Sequence, residues 1–318
     1  MSRLTLDHFQ GVILGLAVGD AIGSAWEGMP ADMIYSMGPA DRIVEHAARD
    51  PIYYTDDTQM TISVVQELVE RKCIDKYSLA KRFAENYHPD RGYGQGARRI
   101  INAIGFGEDW EAIARNIFNG DGSLGNGAAM RVAPLGLFFY PNFDEIVIQA
   151  ELSAAPTHCH EIGVDGGRLV AIAAALSAGS SGSKLDRTSF LQKLLTFAKT
   201  EEFQWQIEHA LQISPFQTLI AFGNSLEAHR SVMTSILCFV DSPDDYVATI
   251  ARAIGQGNDV DTLAAMAGAI SGARVGLSGI PDYLVDCLED NHKGKTFLLD
   301  LAEDLWLAYQ SNQPNRTL

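Results

Sequence analysis

Gly11, Gly15, Gly19 and Gly23 recur every four residues, and Gly268, Gly272 and Gly276 do the same far along the chain. A spacing of four puts each set on one face of a helix, where missing side chains let another backbone come close. A glycine inside a helix costs about 1 kcal/mol relative to alanine, so close packing is expected to offset that cost. In a membrane the same pattern would suggest helix dimerisation, but Asp20 and Arg274 fall within these segments. Both ridges are therefore expected in a protein core, where they would hold the flanking loops in fixed positions.

Helical periodicity dominates the rest. Leu4, Phe9, Val12, Ile13 and Leu16 recur at helical spacing, as do Ile62, Val65, Leu68 and Val69. Leu169, Ile172, Ala173 and Leu176 follow the same rule, and so do Leu298, Leu301, Leu305 and Leu307. Alternating strand patterns are scarce, and Ile146-Val147-Ile148 reads as part of a helix. A length of 318 residues suits two domains or one large helical one. No stretch resembles a linker and no solenoid repeat occurs, so the expectation is a single all-α domain over residues 1–318.

Apolar residues make up 47 % and the net charge is -16, too apolar for disorder and too acidic for bulk nucleic-acid binding. Arg71-Lys72, Lys81-Arg82 and Arg98-Arg99 are the only adjacent basic pairs, and no run approaches the ~20 apolar residues of a membrane span. Cys73, Cys159, Cys238 and Cys287 are widely spaced and form no CxxC pair. A cytoplasmic protein with no membrane partner is the expectation.

Two short acidic segments carry the chemistry. Thr55-Asp56-Asp57-Thr58-Gln59 precedes an amphipathic run from Met60 to Glu70. Asp56 as N-cap with Gln59 three residues on would make a capping box, and acids suit a helix start. Gly257-Asn258-Asp259-Val260-Asp261-Thr262 has the same grammar, with Asn258 or Asp259 available as cap. One oxygen caps a helix, so each segment carries surplus acceptors. Hard cations such as Mg²⁺ and Mn²⁺ take oxygen ligands in octahedral array. Acidic helix starts and a shared metal site both remain open on spacing alone.

Gly19-Asp20-Ala21-Ile22-Gly23 with Glu27, the Thr55–Thr58 segment, and Asp259-x-Asp261-Thr262-x-Ala264-Ala265-Met266-x-Gly268 resemble the ADP-ribosylglycohydrolases. Arg91-Gly92-Tyr93-Gly94, Gly125-Asn126-Gly127-Ala128-Ala129-Met130-Arg131 and Thr157-His158 match further motifs, all in family order. The resemblance implies an orthogonal multi-helix fold with two divalent cations, Mg²⁺ or Mn²⁺, at the base of an ADP-ribose cleft. It implies Thr55, Asp56, Asp57, Asp259, Asp261 and Thr262 as metal ligands. Gly92, Tyr93, Gly94, Gly122, Ser123, Leu124 and His158 would line the ligand. Leu124 stands where the serine-specific branch carries tyrosine, and Gly257-Asn258 where the family usually has two glycines.

The implied reaction is hydrolysis of the bond between ADP-ribose and an acceptor, either a protein serine or arginine side chain or a related small conjugate. ADP-ribose would be the product. Glu27 is the foremost carboxylate for activating water or protonating the leaving group, with Asp57 second. A metal-dependent phosphohydrolase of nucleotide diphosphates, and a non-catalytic ADP-ribose-binding or crystallin-like protein, are the alternatives. His158-Cys159-His160-Glu161 lacks zinc-ligand spacing. Gly92-Tyr93-Gly94-Gln95-Gly96 follows no strand and is not a dinucleotide fingerprint.

Overall fold

The computed structural model describes residues 4–214 and 221–313. Every regular element among them is helical; the only β pairing consists of isolated bridges, Pro30 with Gly257, Ile52 with Leu288 and Gly125 with Glu227.

The glycine ridges set the centre. Leu6–Ser24 and Val260–Val275 are long buried helices lying against each other in opposite directions. A Cβ on Gly15 would sit 2.5 Å from Gly268 O, one on Gly272 2.0 Å from Gly11 O, and one on Gly19 2.3 Å from Ala264 O. At the far end a Cβ on Gly23 would stand 2.6 Å from Asp261 Cα. The backbones therefore touch along the whole crossing, and the start of the second helix lies beside the end of the first. Gly276 departs from the expected ridge. It ends its helix with φ 72°, and a Cβ there would collide with Asp7.

Glu161–Gly179 packs on Val260–Val275, on Ala133–Phe139, on Phe143–Ala154 and on Ala228–Val240. It is long and apolar enough to cross a membrane, yet 83 % of its most apolar window is buried inside the protein. Its composition is that of a central core helix, apolar all round. Phe143–Ala154 absorbs Ile146-Val147-Ile148, as the spacing required.

Asp56–Arg71 packs on Lys76–Asn86 and Lys295–Asn312. In the last helix Leu298, Leu301 and Leu305 are buried, but Leu307 is 48 % exposed. The apolar stripe there turns to Tyr309, whose ring lies 5.1 Å from that of Phe9. Phe9, Leu16, Ile22, Met60, Val65, Leu169, Ile172, Met266 and Ile270 join one continuous core. Each such large side chain contributes about 1.5–3 kcal/mol by leaving water.

Candidate active site

The first acidic segment is organised by a carboxylate from another helix. Asp20 is fully buried and accepts four hydrogen bonds, from Thr55 N (3.0 Å), Thr55 Oγ1 (2.7 Å), Thr58 N (3.0 Å) and Thr58 Oγ1 (2.5 Å). The N-cap of the following helix is Thr55, not the expected Asp56, and its hydroxyl oxygen accepts from Asp57 N. Threonine sits there because Asp20 fixes its backbone and side chain together. Asp56 is thereby freed from capping. Thr55 Oγ1 also lies 3.0 Å from Asp57 Oδ2, but one hydroxyl proton serves only one carboxylate at a time.

The second segment is set by a backbone zipper. Gly28 N donates to Asn258 O (2.9 Å) and Asn258 N to Met29 O (2.8 Å). Gly257 and Asn258 both have positive φ, 69° and 64°. A Cβ on Gly257 would stand 2.4 Å from Ala31 N, so glycine is required there, while asparagine tolerates the left-handed conformation at its neighbour. The zipper brings Glu27 over the helix start, where its Oε2 accepts from Val260 N at 3.1 Å.

Asp259 occupies the N-cap position of Val260–Val275, yet its side chain caps nothing. It is drawn off by Asn126, whose Nδ2 donates to Asp259 Oδ2 at 2.6 Å. Asn224 Nδ2 donates to both Gly257 O and Asp259 O. Oxygens of Glu27, Asp259 and Asp261 lie within 4.8 Å of one another.

Asp20, Asp57 and Asp259 are buried, Asp56 and Asp261 half-buried, and Glu27 lies at the exposed rim of the cluster. Burial, then the charges of Asp20 and Asp261, push Asp56 up to about 8. Asp261 rises to about 8 through burial and Glu27, Asp259 to about 7 through burial and Asp261, and Asp20 to about 6 through burial. Asp57 is raised well above the usual carboxylate range, and Glu27 is raised as well, both chiefly by burial. Asp57 Oδ1 is buried with no hydrogen-bond partner among the described residues. Concentrated oxygen donors, one of them orphaned and two diverted from capping, are the donor set of a hard divalent cation.

The ligand-lining residues expected from the sequence fall around this cluster in different ways. Gly92, with φ 84°, lies over the acids; a Cβ there would be 3.7 Å from Asp56 Oδ1. Gly94 precedes the helix Gln95–Gly105 and borders open space. The Tyr93 side chain instead turns into the core, 2 % exposed, and its hydroxyl donates to Gln59 Oε1 at 2.9 Å. Gly92 and Gly94 on either side of it are exposed. Gly122, with φ 74°, packs on Cys159 and His160. Ser123 Oγ accepts from Gly125 N, and Leu124 O accepts from Ala228 N. His158 is buried beneath Gly125, Gly127 and Gly163. His160 caps the helix Glu161–Gly179 through Nδ1. Thr262 is buried, and its backbone N donates to Asp261 Oδ1.

Sequence reasoning gave no site role to Asp20, Asn126 or Glu289. The buried Glu289 side chain pairs with Arg91. That guanidinium lies 3.9 Å over the Tyr54 ring and donates to Tyr54 O, pinning the segment that leads into Thr55. Asp20 had a signal, an acid inside the apolar run Val12–Gly23. Asn126 stood in a matched motif, and Glu289 had no signal.

Residues 1–315 match the family model described as ADP-ribosylglycohydrolase. Human ADP-ribosylhydrolase ARH3 is 32 % identical, the match covering 87 % of this chain and 88 % of that protein. ADP-ribosylarginine hydrolase Tri1 of Serratia proteamaculans is 24 % identical over 95 % of this chain and 80 % of its own. A solved structure titled ADP-ribosylglycohydrolase-related protein complex superposes with a TM-score of 0.73 at 23 % identity, covering 96 % of this chain and 98 % of its own, and so shares the fold. With the helical architecture, the convergent acidic helix starts and matches over nearly the whole length, this chain belongs to the ADP-ribosylglycohydrolase family of enzymes.

Proposed function

We propose that residues 1–318 act as one hydrolase domain that releases ADP-ribose from an ADP-ribosylated protein side chain or small conjugate, with two divalent cations, Mg²⁺ or Mn²⁺. The observation that carries this reading is the meeting of two helix starts, with Thr55, Asp56 and Asp57 on one side and Asp259, Asp261 and Thr262 on the other, beneath Glu27. These six residues would hold the cations. When bound, the cations supply Lewis-acid contacts to ribose hydroxyls.

The chain supplies the rest. Gly92 leaves backbone free beside Asp56 for a phosphate-bearing ligand, and Gly94, the loop Gly122–Leu124 and His158 would line the rest of its site. Breaking the bond to C1″ develops oxocarbenium character, which the surrounding carboxylates stabilise. Glu27, whose carboxyl is raised by burial, is the candidate to protonate the leaving acceptor and then take a proton from water, with Asp57 as the second carboxylate for that role. The balance is conjugate plus water to ADP-ribose plus free acceptor.

Mass-resolved product analysis tests this. One peptide ADP-ribosylated on serine and one on arginine are incubated with Mg²⁺, with Mn²⁺ and with EDTA. Intact ADP-ribose released only with metal is the expected result, and the peptide cleaved identifies the acceptor. AMP as product would mean diphosphate cleavage and would overturn the reading.

A further inference from the structure

Arg131 is fully buried, and its partners are not carboxylates. Nη1 donates to Gly127 O (2.9 Å); Nη2 donates to Ser153 O (2.9 Å) and to Thr157 Oγ1 (2.8 Å). The guanidinium lies 4.6 Å over the Phe83 ring. Arginine has donors only, so Thr157 Oγ1 accepts in that contact. Thr157 is 2 % exposed, and the other side-chain partner of its hydroxyl among the described residues is His158 Nδ1, 2.7 Å away.

The hydroxyl proton therefore has one acceptor. Were Nδ1 protonated, that proton would be buried unpaired, at a cost of about 1–3 kcal/mol. A neutral imidazole whose Nδ1 accepts carries its proton on Nε2. The surroundings keep the ring neutral as well: burial, then the charge of Arg131, hold His158 down at about 3. Nε2 lies 3.7 Å and 3.4 Å from where Cβ atoms would stand on Gly125 and Gly127, and no described residue takes its hydrogen bond.

We propose that Arg131 and Thr157 are positioning residues that lock His158 as the neutral Nε2–H tautomer, presenting one hydrogen-bond donor to an oxygen of the bound ADP-ribosyl group. The donor role rests on the function proposed above; the lock does not. Thr157 turns an obligate donor, arginine, into a proton fixed on the far nitrogen of the ring. His158 then binds rather than shuttles protons.

Long-range ¹H–¹⁵N correlation spectra of the labelled full-length protein read the tautomer directly, with His158 assigned by its loss in His158→Gln. Without ligand, Nε2 should be the protonated nitrogen and Nδ1 the bare one, and ADP-ribose should move the Nε2 resonance. Thr157→Val should mix the tautomers and weaken ADP-ribose binding about tenfold, while Thr157→Ser restores both. Mn²⁺ affinity should stay unchanged in both Thr157 variants, which a general loosening of the fold would not allow. An Nδ1–H ring in the wild type, or a wild-type spectrum in Thr157→Val, overturns the lock. Bound ADP-ribose that leaves Nε2 unmoved overturns the donor role. Failure of ADP-ribose to bind at all, with the Nε2–H ring in place, overturns the proposed function and the donor role with it and supports the lock.

Discussion

Replacing one carboxylate of the buried cluster should separate charge repulsion from metal binding. In the metal-free protein, burial and neighbouring carboxylates hold Asp56 and Asp261 at about 8, Asp259 at about 7 and Asp20 at about 6. In the unfolded chain all four titrate near 4. Between about pH 4 and pH 8 the folded protein thus binds protons that the unfolded chain has released. Metal-free stability is fully present below about pH 4 and is lost as the pH rises through the folded values. For Asp259 alone, a rise from the ordinary 3.8 to about 7 corresponds to about 4 kcal/mol across that window. Asp261→Asn removes one of the repelling charges and one ligand. Metal-free, the variant should melt above wild type at pH 8 and alongside it near pH 4, where the native carboxyl is protonated. With Mn²⁺ at 100 times its Kd, wild type at pH 8 should gain about 2.7 kcal/mol, a Tm rise of about 5 °C for a chain this long, and the variant none. Circular-dichroism melts from pH 4 to pH 8, with EDTA or Mn²⁺, decide it. A metal-free wild type whose Tm is level or climbs with pH, or a variant that keeps the Mn²⁺ response, refutes the reasoning.

Glu27→Gln should lower kcat by about 10²–10⁴ while Mn²⁺ and ADP-ribose affinities, read by calorimetry, stay near wild type. Asn126→Ala releases Asp259 Oδ2 and should weaken metal binding about 10–100-fold; unchanged Mn²⁺ titration would show that Asp259 needs no such restraint. Gly272→Ala puts a Cβ 2.0 Å from Gly11 O, a backbone atom that cannot swing aside, and should destabilise by about 3 kcal/mol in urea unfolding.

The parts of this molecule that obey a period were legible in its sequence. Both glycine ridges, the central helices and the two acidic helix starts follow from spacings of three and four, because helical geometry converts sequence distance into direction. The cap of the first acidic helix was misread by one residue. Asp56 and Thr55 are both good caps, and the choice between them is made by Asp20, 35 positions away from Thr55. Tyr93 sits in a loop between two exposed glycines, yet its ring faces Gln59 and Tyr87, a direction that no local pattern encodes. Asn126 reaches Asp259 and Glu289 reaches Arg91 across 133 and 198 positions of sequence. Such pairings are set by how helices cross. Leu307 shows the same limit, since its place on the stripe is taken by the Tyr309–Phe9 contact.

The charge at the crossing argues that this cluster is built for cations rather than for packing. Two helix starts present about half a positive charge each, about one unit in all. Against them stand the carboxyls of Asp20, Asp56, Asp57, Asp259, Asp261 and Glu27. Arg82 pairs with Glu67, Arg91 with Glu289, Arg168 with Asp165 and Arg274 with Asp244, the fully buried Arg131 has no carboxylate partner, and among the described residues no arginine makes an ion pair with the cluster. A buried charge left uncompensated costs several kcal/mol, and a packed apolar residue of similar volume would serve the fold better. Only protons or bound cations bring the six carboxyls near neutrality. Protons do so in the metal-free protein up to about pH 8; with all six ionised, two divalent cations and the two helix starts would together come within about one charge of it. The glycine ridge then has a purpose beyond packing. By drawing the end of Leu6–Ser24 onto the start of Val260–Val275, it forces Asp20 and Glu27 to meet Asp259 and Asp261, which side chains larger than hydrogen at Gly19 and Gly23 would hold apart.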